Sequence, residues 1–141
     1  MKALVNRPIC PLMTRPSRQC ERGDEALSGM VLDLLEETLP GWYRVRTPYR
    51  YEGYAPAEDL LLGEAHAARW AALPKQVVRN KNFCDVLSQP KVQGWHLATL
   101  TRGCVVSPVG QAEDGWQKVL LADERTGFVQ ASILEEHFTA P

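Results

Sequence analysis

Four cysteines (Cys10, Cys20, Cys84, Cys104) and three histidines (His66, His96, His137) are the residues of this chain best suited to covalent or metal chemistry. A cysteine nucleophile needs an imidazole within hydrogen-bond reach and a third group to orient that imidazole. A zinc site usually announces itself as a C-x-x-C pair with further Cys or His at short spacing. Neither pattern is present: no two cysteines stand in C-x-x-C spacing, and the histidines do not cluster with them. The reading is that no residue is catalytic, none ligates a metal, and no cofactor is required. An even count permits disulfides, but without a secretion signal free thiols are expected.

Recognition is better served. The run Tyr49-Arg50-Tyr51-Glu52-Gly53-Tyr54 places three tyrosines in six residues. Tyrosine combines rigid apolar area with a hydroxyl, which suits a peptide or sugar ligand. Alternation along an extended segment would put Tyr49 and Tyr51 on one side, while Tyr54 is read as core. Trp95 follows Val92-Gln93-Gly94 in a long loop, where it would stack on a sugar ring or pack against a neighbouring domain, the second being favoured. Trp42 and Trp116 are read as scaffold, and the pairs Glu36-Glu37 and Glu135-Glu136 as solvated turn residues.

The elements that must position these residues are short. Ten glycines and ten prolines in 141 residues are too much punctuation for a helical bundle and predict strands joined by turns. The net charge is −1 and both halves are balanced. No basic stripe is available to neutralise phosphates, which argues against nucleic acid, and no polybasic cluster suggests a membrane anchor. No stretch approaches the roughly 20 apolar residues of a spanning helix. Met1–Val5 runs into Asn6, Arg7 and Pro8 rather than an apolar segment, so no signal peptide is read and the chain as given would stay where it is made.

Sliding the sequence by 74 residues aligns its halves without a gap. Asn6 meets Asn80, Cys10 meets Cys84, Pro16 meets Pro90 and Gly29 meets Gly103. Gly41-Trp42 meets Gly115-Trp116, Val45 meets Val119, Gly53 meets Gly127 and Leu60 meets Leu134; Leu4 meets Val78 and Tyr54 meets Phe128. Each copy predicts several short strands with one long early loop, a small bent barrel. Between the copies, the alanine-rich segment from Gly63 to Leu73 predicts a short helix ending before Pro74. Its Trp70 is expected to pack between domains. The fold class is therefore all-β: two small SH3-like barrels in tandem, residues 1–62 and 75–141, joined by a helical linker at 63–74.

Two copies of Gly-Trp-x-x-Val, then Gly-aromatic-Ala/Val, then Leu, resemble bacterial SH3 domains. The segments Asp24-Glu25-Ala26-Leu27-Ser28-Gly29-Met30-Val31, Gly41-Trp42-Tyr43-Arg44-Val45-Arg46 and Tyr51-Glu52-Gly53-Tyr54 are similar to the N-terminal SH3 domain of NlpC-type peptidoglycan hydrolases. Those enzymes are γ-D-glutamyl-L-diamino-acid endopeptidases whose SH3 domains precede a papain-like catalytic domain. The resemblance covers residues 3–136. It implies a non-catalytic module that targets the cell wall and shapes the substrate, with peptidoglycan or muropeptide and a C-terminal peptidase domain as partners. It leaves open whether the parent works on exported wall or on fragments recycled in the cytoplasm.

Two departures stand out. The family's nucleophilic cysteine lies in Asp-Cys-Ser-Gly, which this sequence lacks: Cys84 precedes Asp85 and Cys104 follows Gly103. The family's acid after the Gly of Leu-x-Gly, which could read a substrate amine, is replaced here by Met30; either that reading is lost or Glu25 serves instead. The candidate ligand-binding residues are thus Tyr49, Tyr51, Glu25 and Trp95. The second copy has Asp123, Arg125 and Thr99 where the first has Tyr49, Tyr51 and Glu25, so recognition is expected in the first copy alone. The alternative is a stand-alone SH3-like adaptor for peptides or proteins, which would need a groove of several aromatics.

Overall fold

A computed structural model of the chain describes residues 1–136. It is mostly β and divides into two compact units, Met1–Ala72 and the segment from Leu73 onward.

The first unit contains β1 (Lys2–Val5), β2 (Ile9–Met13), β3 (Arg22–Leu27), β4 (Val31–Leu39), β5 (Trp42–Arg46), β6 (Glu52–Pro56) and β7 (Leu60–Leu62), followed by α1 (Glu64–Ala71). Its sheet runs in the order β3-β2-β6-β5-β4-β1-β7. The second unit has β8 (Gln76–Val78), β9 (Phe83–Leu87), β10 (His96–Thr101), β11 (Val105–Pro108), β12 (Trp116–Leu120), β13 (Thr126–Gln130) and β14 (Leu134–Glu136). Its order, β10-β9-β13-β12-β11-β8-β14, is the same path. Strand pairing closes neither sheet: β3 and β7 are the ends of one, β10 and β14 the ends of the other.

Side-chain alternation builds the core. In the first unit Cys10 and Leu12 of β2, Leu32 and Leu34 of β4, and Val45 of β5 point inward beside Ala3, Val5, Ala26, Ala55 and Leu60. Fully burying a Val or Leu contributes about 1.5–3 kcal/mol, so this short list carries much of the unit's stability. In the second unit Val77, Val78, Cys84, Val86, Val106, Val119 and Val129 do the same.

The backbone turns recur too. Gly41 and Gly115 both have φ 83°, Gly29 and Gly103 have φ 87° and 94°, and Arg50 and Glu124 have φ 70° and 71°. Glycine is preferred at such angles because it has no Cβ to clash, which is why these glycines line up in the sequence. The gapless alignment is corrected in one place. Val5 N–H donates to Met30 O at 3.0 Å and Val5 O accepts from Gly29 N–H at 3.0 Å, whereas Val78 makes those bonds with Cys104 and Gly103, at 2.9 and 2.7 Å. The first strands therefore correspond at an offset of 73, and Asn6 matches Arg79, not Asn80. The extra residue sits in the β8–β9 loop, 79–82, against 6–8 in the first unit. A slip inside a strand would turn its buried side chains outward; a loop absorbs it without that cost.

The helix belongs with the first unit. Trp70, expected between domains, is buried and donates its indole N–H to Gly29 O at 2.8 Å, tying α1 to the β3–β4 turn.

Candidate functional site

Three of the four candidate residues lie in the first unit, at the β3 end of its sheet. The β5–β6 connection is a tight turn: Arg50 N–H donates to Thr47 O, and Thr47 N–H to Tyr51 O, both at 2.9 Å. Arg50 takes a left-handed φ of 70° in this turn, and both tyrosine hydroxyls reach β3, that of Tyr49 at Asp24 and that of Tyr51 at Gly23. Tyr49 swings over β3 and donates its hydroxyl to Asp24 Oδ2 at 2.8 Å, with Glu25 O at 3.4 Å. Burial and then the Asp24 carboxylate push the Tyr49 phenol up to about 12. At neutral pH it is a hydrogen-bond donor and not a base.

Asp24 was missed as a site residue. Both of its oxygens are engaged, Oδ1 accepting Glu25 N–H at 2.8 Å and Oδ2 accepting Tyr49. The adjacent Asp-Glu pair is the signal that could have found it. Glu25 Oε1 accepts from Arg22 at 3.2 Å, and its other oxygen has no partner among the described residues. Arg22, Gly23, Asp24, Glu25 and Leu27 line a shallow depression here. Two carboxylates with one free oxygen, beside a phenol, can hold a cation such as an ammonium group. They supply no nucleophile.

Tyr51 is placed differently. It is half-buried and packs against the core, and its hydroxyl stands so close to Gly23 that a methyl there would collide with it. Gly53 also meets its ring edge. Trp95 belongs to the second unit and is 82% exposed at the end of the β9–β10 loop. Its backbone is pinned, with Ser88 N–H donating to Trp95 O and Trp95 N–H to Ser88 Oγ, both at 2.8 Å. The same loop in the first unit is closed by Thr14 and Glu21.

All four cysteines are free. Burial, then the Asp59 carboxylate, raises the Cys10 thiol to about 12; burial, then Asp85, raises Cys84 to about 11. Neither is a thiolate at neutral pH, so neither is an activated nucleophile. Among the described residues no three His, Cys, Asp or Glu side chains gather to hold a metal.

The strand path and the Gly41-Trp42 turn agree with the resemblance read from the sequence. Residues 12–60 match the bacterial dipeptidyl-peptidase SH3 domain family. That SH3 match spans the first unit from β2 to the start of β7. Dipeptidyl-peptidase 6 of Lysinibacillus sphaericus is 33% identical over 137 residues, 95% of this chain and 50% of that protein. An NlpC/P60 family protein from Bacillus cereus ATCC 10987 has the same fold, with a TM-score of 0.76 at 14% identity, over 97% of this chain and 56% of that one. The chain thus spans about half the length of each relative, and its residues 12–60 are the part matched as an SH3 domain.

Proposed function

We propose that this chain is the non-catalytic part of a cysteine peptidase of peptidoglycan: two SH3-like barrels, residues 1–62 and 75–141, linked through 63–74, that receive a wall peptide and present it to a following peptidase domain. The observation that carries this reading is the match of nearly the whole chain to half of a dipeptidyl-peptidase, with an SH3 domain of that type in the first unit. The β3 edge gives the module a task. Glu25, with Asp24 and the Tyr49 hydroxyl beside it, offers hydrogen-bond acceptors and negative charge to the free ammonium of a peptide N-terminus.

The test is titration of the 15N-labelled chain with the tripeptide L-Ala-γ-D-Glu-L-Lys and with its N-acetylated form. Binding should shift the amides of Asp24–Leu27 and Tyr49, and N-acetylation should abolish those shifts. Equal responses to both forms, or none at this edge, would refute the assignment.

A further inference from the structure

The two units finish the same outward face in opposite ways. On β12 the buried Gln117 and Val119 alternate with Trp116 and Lys118, and Lys118 lies opposite Phe128 in the register with β13. The matching face of the first unit presents Trp42, Arg44 and Tyr54, with Arg44 opposite Tyr54. There four charged side chains close it. Arg18 reaches over Trp42, its guanidinium carbon 6.0 Å from the ring centre, and pairs with Glu58. Arg44 pairs with Glu36 at 3.1 Å and Glu52 at 2.9 Å.

Seventy-four residues on, every one of those four is uncharged: Val92 for Arg18, Ser132 for Glu58, Gly110 for Glu36, Thr126 for Glu52. The basic residue survives as Lys118, whose ammonium has no partner among the described residues. A groove of about 310 Å³ opens along this face, lined by Pro90, Val109, Trp116, Lys118 and Phe128, with Glu113 and Asp114 also in its lining. Its wall is held in place, because the buried Gln117 amide donates to Lys118 O at 2.8 Å and Gly110 O at 3.2 Å, fixing the β11–β12 loop.

An unpaired ammonium flanked by two aromatic rings complements a carboxylate carried on an extended chain. The rings take apolar surface and the ammonium takes the charge. We infer that the second unit binds a carboxylate-bearing peptide across Trp116, Lys118 and Phe128, and that the Arg18 and Arg44 ion pairs close this face in the first unit. A γ-linked glutamate keeps its α-carboxylate free, so a wall stem peptide qualifies. That identity of the peptide rests on the reading under Proposed function; the groove does not.

The experiment uses the labelled chain with two probes, L-Ala-γ-D-Glu-L-Lys and the unrelated α-linked peptide acetyl-Glu-Ala-Glu. The first should shift the amides of Gly115, Trp116, Lys118 and Phe128. Lys118→Ala should weaken it about fivefold, the scale of one exposed charge pair, and Lys118→Arg should restore it. Thr126→Glu, which rebuilds the Arg44–Glu52 pair beside Lys118, should weaken binding to the same extent without lowering Tm. Amidating the α-carboxylate of the D-Glu residue, with the terminal Lys carboxylate left free, should have the same effect. Shifts confined to Asp24–Leu27 and Tyr49 would overturn the groove and leave the proposed function standing. A response at Trp116 to acetyl-Glu-Ala-Glu alone would support the groove and count against a wall peptide. No response on this face to either probe, or undiminished binding by Thr126→Glu, would overturn the inference.

Discussion

Tyr49 donates its phenolic hydrogen to Asp24 Oδ2 at 2.8 Å, joining the β5–β6 turn to the edge strand β3 across 25 residues of chain. The bond exists while tyrosine keeps its proton. Folding raises this phenol from about 10 to about 12, so the native state holds the proton more tightly than the unfolded one. The stabilisation it brings is complete below pH 10 and is lost as pH rises through 12. Absorbance at 295 nm, compared between the parent and Tyr49→Phe, should show one tyrosine titrating near 12. Asp24→Asn should bring that midpoint down towards 10. A Tyr49 midpoint near 10 in the parent would show that the bond is absent in solution.

Tyr51 and Gly23 should be energetically coupled. Tyr51→Ala should cost about 2 kcal/mol, less than the roughly 3–5 of a fully buried ring, because Tyr51 is half-buried. Gly23→Ala should destabilise the parent by forcing the Tyr51 hydroxyl aside, and should cost much less once Tyr51 is alanine. Urea denaturation of the four proteins gives the coupling. Additive costs would mean the contact is absent in solution.

The four thiols should separate cleanly. Cys10, Cys84 and Cys104 are buried, and only Cys20 is partly exposed. One equivalent of thiol per chain should react with Ellman's reagent in the native protein at pH 8, and four in denaturant. Cys20→Ser should remove the native reaction. Two or more native equivalents would mean that the cores of these units open readily.

Trp70→Phe keeps a ring at the α1 contact but removes the indole N–H from Gly29 O. Stability should fall by about 1–3 kcal/mol, the cost of leaving a buried acceptor unpaired plus lost ring area. Hydrogen exchange should quicken first in α1 and the β3–β4 turn. A loss confined to the second unit would show that Trp70 acts elsewhere.

Most of this fold was legible because local chemistry dictates it. Gly29, Gly103, Gly41 and Gly115 repeat where the backbone turns left-handed, so residue identity reports geometry. The one-residue offset of the first strand was hidden because Leu4-Val5 and Val77-Val78 are each two apolar residues in a row, and either pairing buries them. The identity of Asn6 and Asn80 was coincidental. At the candidate site, Glu25 and Tyr49 were chosen by residue type, whereas the bond from Tyr49 to Asp24 was not foreseen. It depends on a tight turn in which Arg50 takes φ 70°, and nothing about an arginine announces a positive angle. Asp24 became visible only when β3 and the β5–β6 turn were brought together.

The open ends of the sheets set different risks of self-association. An unpaired strand edge templates further strands unless charge or a covering group blocks it. β3 carries Arg22, Asp24 and Glu25 along its edge. β10, the corresponding edge strand, reads His-Leu-Ala-Thr-Leu-Thr and has no Lys, Arg, Asp or Glu. One guardian reaches it from β13's approach: Arg125, whose guanidinium donates to Leu97 O at 2.9 Å and is itself held by Asp123 at 2.8 Å. Where the first unit keeps its tyrosine Tyr51, the second therefore keeps an arginine that charges this edge, and removing it would leave a threonine- and leucine-rich strand on which copies of the chain could stack.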